Sequence, residues 1–115
     1  MDIQRINPSE KWSDVTVFNK IAHFVEVAAD ASADLPHQIE QVFSQAENML
    51  ASVNSDKSRI LSVTIYLTNF AHLALFNAAW EKWLPQGCAP SRACLKVELA
   101  DPDYLVEIAF VAAVK

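Results

Sequence analysis

Three residues in the last quarter of the chain could recognise a small polar molecule and work on it: Arg92, Cys94 and Glu107. Arg92 follows Ala89-Pro90-Ser91 and opens an alternating stretch. Its guanidinium is a fixed fork that meets a carboxylate through two parallel hydrogen bonds. The competing reading is a surface arginine paired with an acid. Glu107 is a lone acid within Leu105-Val106-Glu107-Ile108-Ala109-Phe110. A carboxylate buried there needs a partner or takes a raised pKa, and a raised pKa suits general acid/base work on water. An ion pair with Arg92 or Lys96 would satisfy it equally. Cys94 lies two residues from Arg92 and so on the same strand face. Its thiol could be a nucleophile, but no histidine stands nearby in sequence to activate it. A small buried hydrophobe is the more economical reading of the side chain, with the backbone beside it left to orient a ligand. Asn77 interrupts an apolar helix face between Phe76 and Trp80, and a buried amide needs partners in a neighbouring loop or in a ligand. Trp12 sits in a polar stretch, where an aromatic ring could wall a pocket.

Other chemistries are excluded by composition. A single glycine, Gly87, rules out every glycine-rich phosphate loop. His23, His37 and His72 are scattered and Cys88 and Cys94 lack ligand spacing, so no metal site is expected. The net charge of −5, with no basic run, argues against nucleic acid as a partner. No apolar stretch is long enough to span a membrane and no signal-like segment opens the chain, so the expected location is the cytoplasm, with free thiols.

These residues must be positioned by one domain over 1–115, the size of an ordinary folding unit with a 52% hydrophobic share. Val15-Thr16-Val17-Phe18 reads as a strand, Asn19-Lys20 as a tight turn and 21–28 as its partner strand. A polar loop leads to a helix over 37–53, with Ile39, Val42, Phe43, Ala46, Met49, Leu50 and Val53 on one stripe and Glu40, Gln41, Gln45, Glu47 and Asn48 opposite. Residues 60–68 alternate, with Leu61, Val63, Ile65 and Leu67 on one face. A second helix is expected over 70–84, capped by Thr68 or Asn69 and ended by Pro85 and Gly87. Strands follow at 92–99 and from about 105. The order β-β-α-β-α-β-β, with a short first strand near Ile3 to Ile6, predicts an α+β fold: a mixed sheet with two helices on one face. The other face is expected to carry Thr64, Tyr66, Cys94, Lys96, Glu98 and Glu107. It is either solvated or packed on another copy of the chain, and Leu105, Ala109 and Val111 favour packing.

The run Ala89-Pro90-Ser91-Arg92-Ala93-Cys94-Leu95-Lys96-Val97, followed by Val106-Glu107-Ile108-Ala109, resembles the C-terminal signature of the reactive intermediate deaminase family, also called the Rid, YjgF or RutC family. That signature is Pro-x-Arg-x-Cys and then a Val/Ile-Glu-Ile strand. Phe76-Asn77-x-x-Trp80 is similar to the family's Asn-x-x-Tyr/Trp helix, and Trp12-Ser13-Asp14-Val15 falls where members have an aromatic-Ser motif. The likeness runs over nearly the whole chain and is greatest to YoaB-type members. It implies a chorismate-mutase-like fold, a homotrimer and ligand clefts between subunits. It also implies hydrolysis of reactive 2-imino acids to 2-keto acids and ammonia without a cofactor. By position, Arg92 would hold the carboxylate and Glu107 the attacking water. The backbone around Cys94 would hold the imine nitrogen, and Asn77 and Trp12 would line the cleft. Two departures stand out. Deaminating members carry a Ser-Gly pair where this chain has Val25-Glu26, and Trp12 replaces a tyrosine. A Glu26 facing the cleft would repel a carboxylate or pair with Arg92. The alternative function is a non-catalytic trimer that binds a small carboxylate metabolite. Ribonuclease activity, a label borne by some relatives, is the reading least suited to the acidic balance.

Overall fold

The computed structural model describes residues 2–115. Six strands form one sheet: β1 (Gln4–Ile6), β2 (Val15–Phe18), β3 (Ile21–Val27), β4 (Ile60–Leu67), β5 (Ser91–Lys96) and β6 (Val106–Ala113). Helix α1 (Leu35–Ser52) joins β3 to β4, and α2 (Leu73–Trp83) joins β4 to β5. Across the sheet the order is β1-β2-β3-β6-β4-β5. Only β4 and β5 run parallel, and α2 is the crossover that such a pair requires. The expected element order and mixed α+β sheet are what the chain forms.

Local chemistry accounts for the elements. Asn19 and Lys20 take φ of 52° and 61°, the left-handed pair that closes a two-residue hairpin between β2 and β3. Asp34 caps α1, its Oδ1 accepting from the His37 N–H at 3.1 Å, and Pro36 fits the first turn, where its missing N–H costs nothing. The helix thus starts two residues before the expected position. Asn69 caps a single 3-10 turn, Phe70–His72, with Oδ1 accepting from the Ala71 N–H at 2.8 Å. Only from Leu73 is the second helix α-helical, so the segment expected as one helix is a turn and a helix in series.

The core lies between the helices and one sheet face. Phe24 stacks on Phe110 with ring centroids 4.8 Å apart, and Phe43 stacks on Trp83 at 4.4 Å. Phe76, Ile65, Ile108 and Leu67 are fully buried. Each such side chain contributes about 1.5–3 kcal/mol by leaving water.

Three expectations are overturned. Leu61 is not in the core row: the β4–β6 register slips between Ile60 and Ser62, Ile60 enters the core, and Leu61 is exposed as the extra residue of a bulge. Gln45 does not face solvent but turns toward the sheet. The third concerns Cys94 and Lys96. β5 pairs with β4 as Val63↔Arg92, Ile65↔Cys94 and Leu67↔Lys96. Since Val63, Ile65 and Leu67 face the helices, Arg92, Cys94 and Lys96 do too, and Ala93 and Leu95 face the open side. Alternation separates the two sets but does not say which meets the helices. On an edge strand the helix cover is partial, so a polar set can occupy that side. The ladder also stops at Lys96, short of the expected 99.

The open face carries Glu107, Thr64 and Tyr66 as expected, together with Phe18, Val25 and Leu95, each at least 43% exposed.

Candidate functional site

Arg92 occupies the second position of β5, at the edge of the sheet, and leans on α2. One Nη2–H donates to Asn77 Oδ1 at 2.6 Å. The guanidinium carbon lies 5.8 Å from the Phe76 ring centroid and 6.0 Å from that of Trp80. Asn77 and the two rings come from one side of α2: Trp80 lies four positions after Phe76 and three after Asn77, so it neighbours both. The rings supply the negative faces that favour a cation, and the amide fixes the fork's rotation. Arg92 is exposed and makes no ion pair among the described residues. Its remaining N–H groups donate to no acceptor among the described residues, which leaves the fork able to take a carboxylate. The acid partner of the competing sequence reading is absent, and an amide stands in its place.

Cys94 is a half-buried free thiol two positions along the same face. Glu107 is elsewhere. Its cross-strand neighbours are Val27 and Tyr66, on the open face. Within one protomer Arg92 and Glu107 therefore lie on opposite faces of the sheet, and neither Arg92 nor Lys96 is its ion partner.

Glu107 instead borders a cavity of about 780 Å³, which opens where β2 ends and β3 runs on. β2 pairs only as far as Val15↔Phe24, so Val25–Val27 present a free edge on that side. Trp12, Ser13 and Asp14 form the opposite wall, with Glu26 and Met49 toward α1 and His23 on the open face. Trp12 is 68% exposed. Glu26 is only 8% exposed, on the helix side of β3. Its Oε2 accepts from Gln45 Nε2 at 2.9 Å, and the same amide nitrogen donates to the Val27 carbonyl at 2.7 Å. Gln45 Oε1 accepts from the Ala29 N–H at 2.9 Å. Burial pushes the Glu26 carboxyl above its ordinary value; the Gln45 bond pulls it back, and the charge of Asp14 pushes it up again. Within one protomer Glu26 does not meet Arg92. β6 and β4 separate their strands, three interstrand steps of about 4.8 Å each.

The candidate residues thus fall into two groups. Arg92, Asn77 and Cys94 converge on the β5 edge, while Trp12, Glu26 and Glu107 surround the cavity beside β3. Sequence reasoning missed Asp14 and Gln45 as companions of Glu26, and the ring faces of Phe76 and Trp80 as the seat of Arg92. The last had a signal: Trp80 lies four positions after Phe76 and three after Asn77. Gln45 had none, because its spacing fits the polar stripe.

The family model described as Endoribonuclease L-PSP matches residues 2–114. The chain is 42% identical over 113 residues to a RutC family protein of Haemophilus ducreyi, covering 97% of each. It is 37% identical over 114 residues to the RutC family protein YoaB of Escherichia coli, covering 99% of this chain and 100% of that one. Among solved structures, a protein of Pseudomonas aeruginosa superposes with a TM-score of 0.95 at 34% identity, over 99% of this chain and 100% of the other. A member of the YjgF protein family from Neisseria meningitidis gives a TM-score of 0.91 at 29% identity, over 100% and 97%. With its fold, its full-length matches and the Arg92–Cys94–Glu107 pattern in place, the chain belongs to the Rid/YjgF/RutC family.

Proposed function

We propose that this protein hydrolyses reactive 2-imino acids to 2-keto acids and ammonia, in a cleft that a homotrimer completes. The observation that carries the reading is the seat of Arg92: a fork held by an amide and two ring faces, with donors left over for a carboxylate. In this scheme Arg92 binds the substrate carboxylate and the backbone beside Cys94 orients the imine nitrogen. Glu107 takes a proton from water as the oxygen attacks C2 of the protonated imine. The tetrahedral adduct then receives that proton on nitrogen and expels ammonia as its hydroxyl proton passes back to Glu107, leaving the keto group. A protonated imine is already electrophilic, so the scheme needs no cofactor.

Arg92 and Glu107 face away from each other within one protomer, so Glu107 would act across a subunit boundary. The exposed Val25 and Leu95 of the open face support an assembly that covers them. The endoribonuclease label of the family model suits this chain poorly. Fourteen acidic residues against nine Lys and Arg give phosphates little to track.

The test is keto-acid release with 2-iminobutanoate or 2-iminopropanoate generated in situ. The protein is expected to accelerate release, and Arg92→Ala to abolish the acceleration. No acceleration with either imine, or an active Arg92→Ala protein, would sink the proposal. A second reading, a non-catalytic trimer that binds a small carboxylate, is favoured by the distance of Glu107 from Arg92's face. It predicts a carboxylate-dependent rise in melting temperature without turnover.

A further inference from the structure

The cavity beside β3 has a chemistry of its own. Its charged lining is acidic, with Asp14, Glu26 and Glu107, and it holds neither Lys nor Arg; His23 is the one basic group. An ionised carboxylate only accepts hydrogen bonds, so a ligand must bring the donors. An anion beside Glu26 would meet two like charges, Glu26 and Asp14, both at least partly withdrawn from water, while Glu107 projects from the other sheet face. Glu26 is the decisive residue. More than nine-tenths buried, it bonds Gln45 through Oε2, while Oε1 has no hydrogen-bond partner among the described residues. The lining also includes Trp12, an exposed indole whose π-face attracts cations. The apolar lining on the side of Glu26, Phe24, Met49 and Phe110, suits a short aliphatic body.

We infer that this cavity binds the cationic end of its ligand, an ammonium, amidinium or guanidinium nitrogen on a short apolar body, with Glu26 as the residue that selects for it. The inference deepens the proposed function. It rests on that reading only for the further step that the same ligand carries a carboxylate for Arg92. Together the two name the substrate class as imino or amino acids with a second, basic nitrogen in the side chain.

The experiment is calorimetric titration of the assembled protein with n-butylammonium, n-butylguanidinium, n-pentanol and n-pentanoate, repeated on Glu26→Gln, Asp14→Asn and Arg92→Ala. Both cations are expected to bind about tenfold or more tighter than pentanol, the worth of one charge-assisted hydrogen bond. Glu26→Gln keeps the shape and the Gln45 contact, and should remove that preference. Asp14→Asn, which leaves the sheet untouched, should reduce it, so a misfolded first variant does not spare the inference. Arg92→Ala should weaken pentanoate and leave the cations unchanged. The inference is overturned if the cations bind no tighter than pentanol, or if Glu26→Gln and Asp14→Asn both retain the preference. It is also overturned if cations bind only to Arg92→Ala, since a second copy's arginine would then be the occupant. Failure of pentanoate to depend on Arg92 would strike the proposed function and leave this inference standing.

Discussion

Two places on the sheet, the edge strand β5 and the stretch of β3 beyond its pairing with β2, handle charge in opposite ways. At β5 a cation is held in the open, steadied by Asn77 and the faces of Phe76 and Trp80. At β3 an anion is held almost out of water, steadied by the single amide of Gln45. An exposed guanidinium costs little to keep and is ready for a carboxylate. A buried carboxylate costs stability and lowers that cost by recruiting a proton, a donor or a cation. In the proposed scheme the first place captures a carboxylate and the second discriminates among side chains.

The contrast is broken most severely at Arg92. Arg92→Lys keeps the charge but loses the fork, the amide bond geometry and the planar stacking. Keto-acid release should fall about 100-fold in kcat/KM, the loss of two charge-assisted bonds. A lysine variant as active as the parent would show that the fork is not used. Next comes Gln45→Ala, which strips Glu26 Oε2, the Val27 carbonyl and the Ala29 N–H of one shared partner. Stability in urea should drop by about 2–3 kcal/mol. A loss below about 0.5 kcal/mol would mean that water replaces the amide freely. Asn77→Ala frees the fork without unpacking the rings, and turnover should fall about tenfold with the melting temperature nearly unchanged. A large fall in melting temperature would make Asn77 a structural residue instead.

The smallest effect concerns pH. The folded pKa of Glu26 lies above 4.5, so folding favours its protonated form. The stability this provides is complete below the unfolded value and is lost as pH rises through the folded one. Asp56 runs the other way. Its pKa drops from 3.8 to about 2, held first by the Ser58 hydroxyl and then by Lys115. Its contribution is present above the unfolded value and fades as pH falls toward 2. Melting curves of Glu26→Gln and the parent should therefore converge near pH 4 and separate toward pH 7, with the variant the more stable. Parallel curves across that range would deny the strain at Glu26.

Much of this was legible in the residues. The Asn19-Lys20 turn, the stripe of α1 and the buried set Val106, Ile108 and Phe110 follow from local conformational preference and periodicity. The Pro-x-Arg-x-Cys run led directly to the β5 edge. What stayed hidden depends on neighbours. Which face of β5 meets the helices is decided by register with β4 and by partial cover at an edge. The bulge at Leu61 is a property of a pair of strands, not of one. Gln45 could be recognised as inward only with Glu26 opposite it, and Glu26 as buried only with α1 laid across.

The strand order has a consequence in time. β6 comes last of the strands, yet it sits in the middle, paired with β3 on one side and β4 on the other. Until residues 106–113 leave the ribosome, the nascent chain holds two half-sheets, each with a bare strand edge. Neither half can complete its ladder on the other, because the piece that joins them has not been made. Completion must then occur late, after synthesis has passed the region of Glu107, and through contacts of long sequence separation that form slowly. In the interval the exposed rims are templates for pairing with other nascent chains. Arg92 emerges before that strand, so its edge exists before the sheet that supports it is closed.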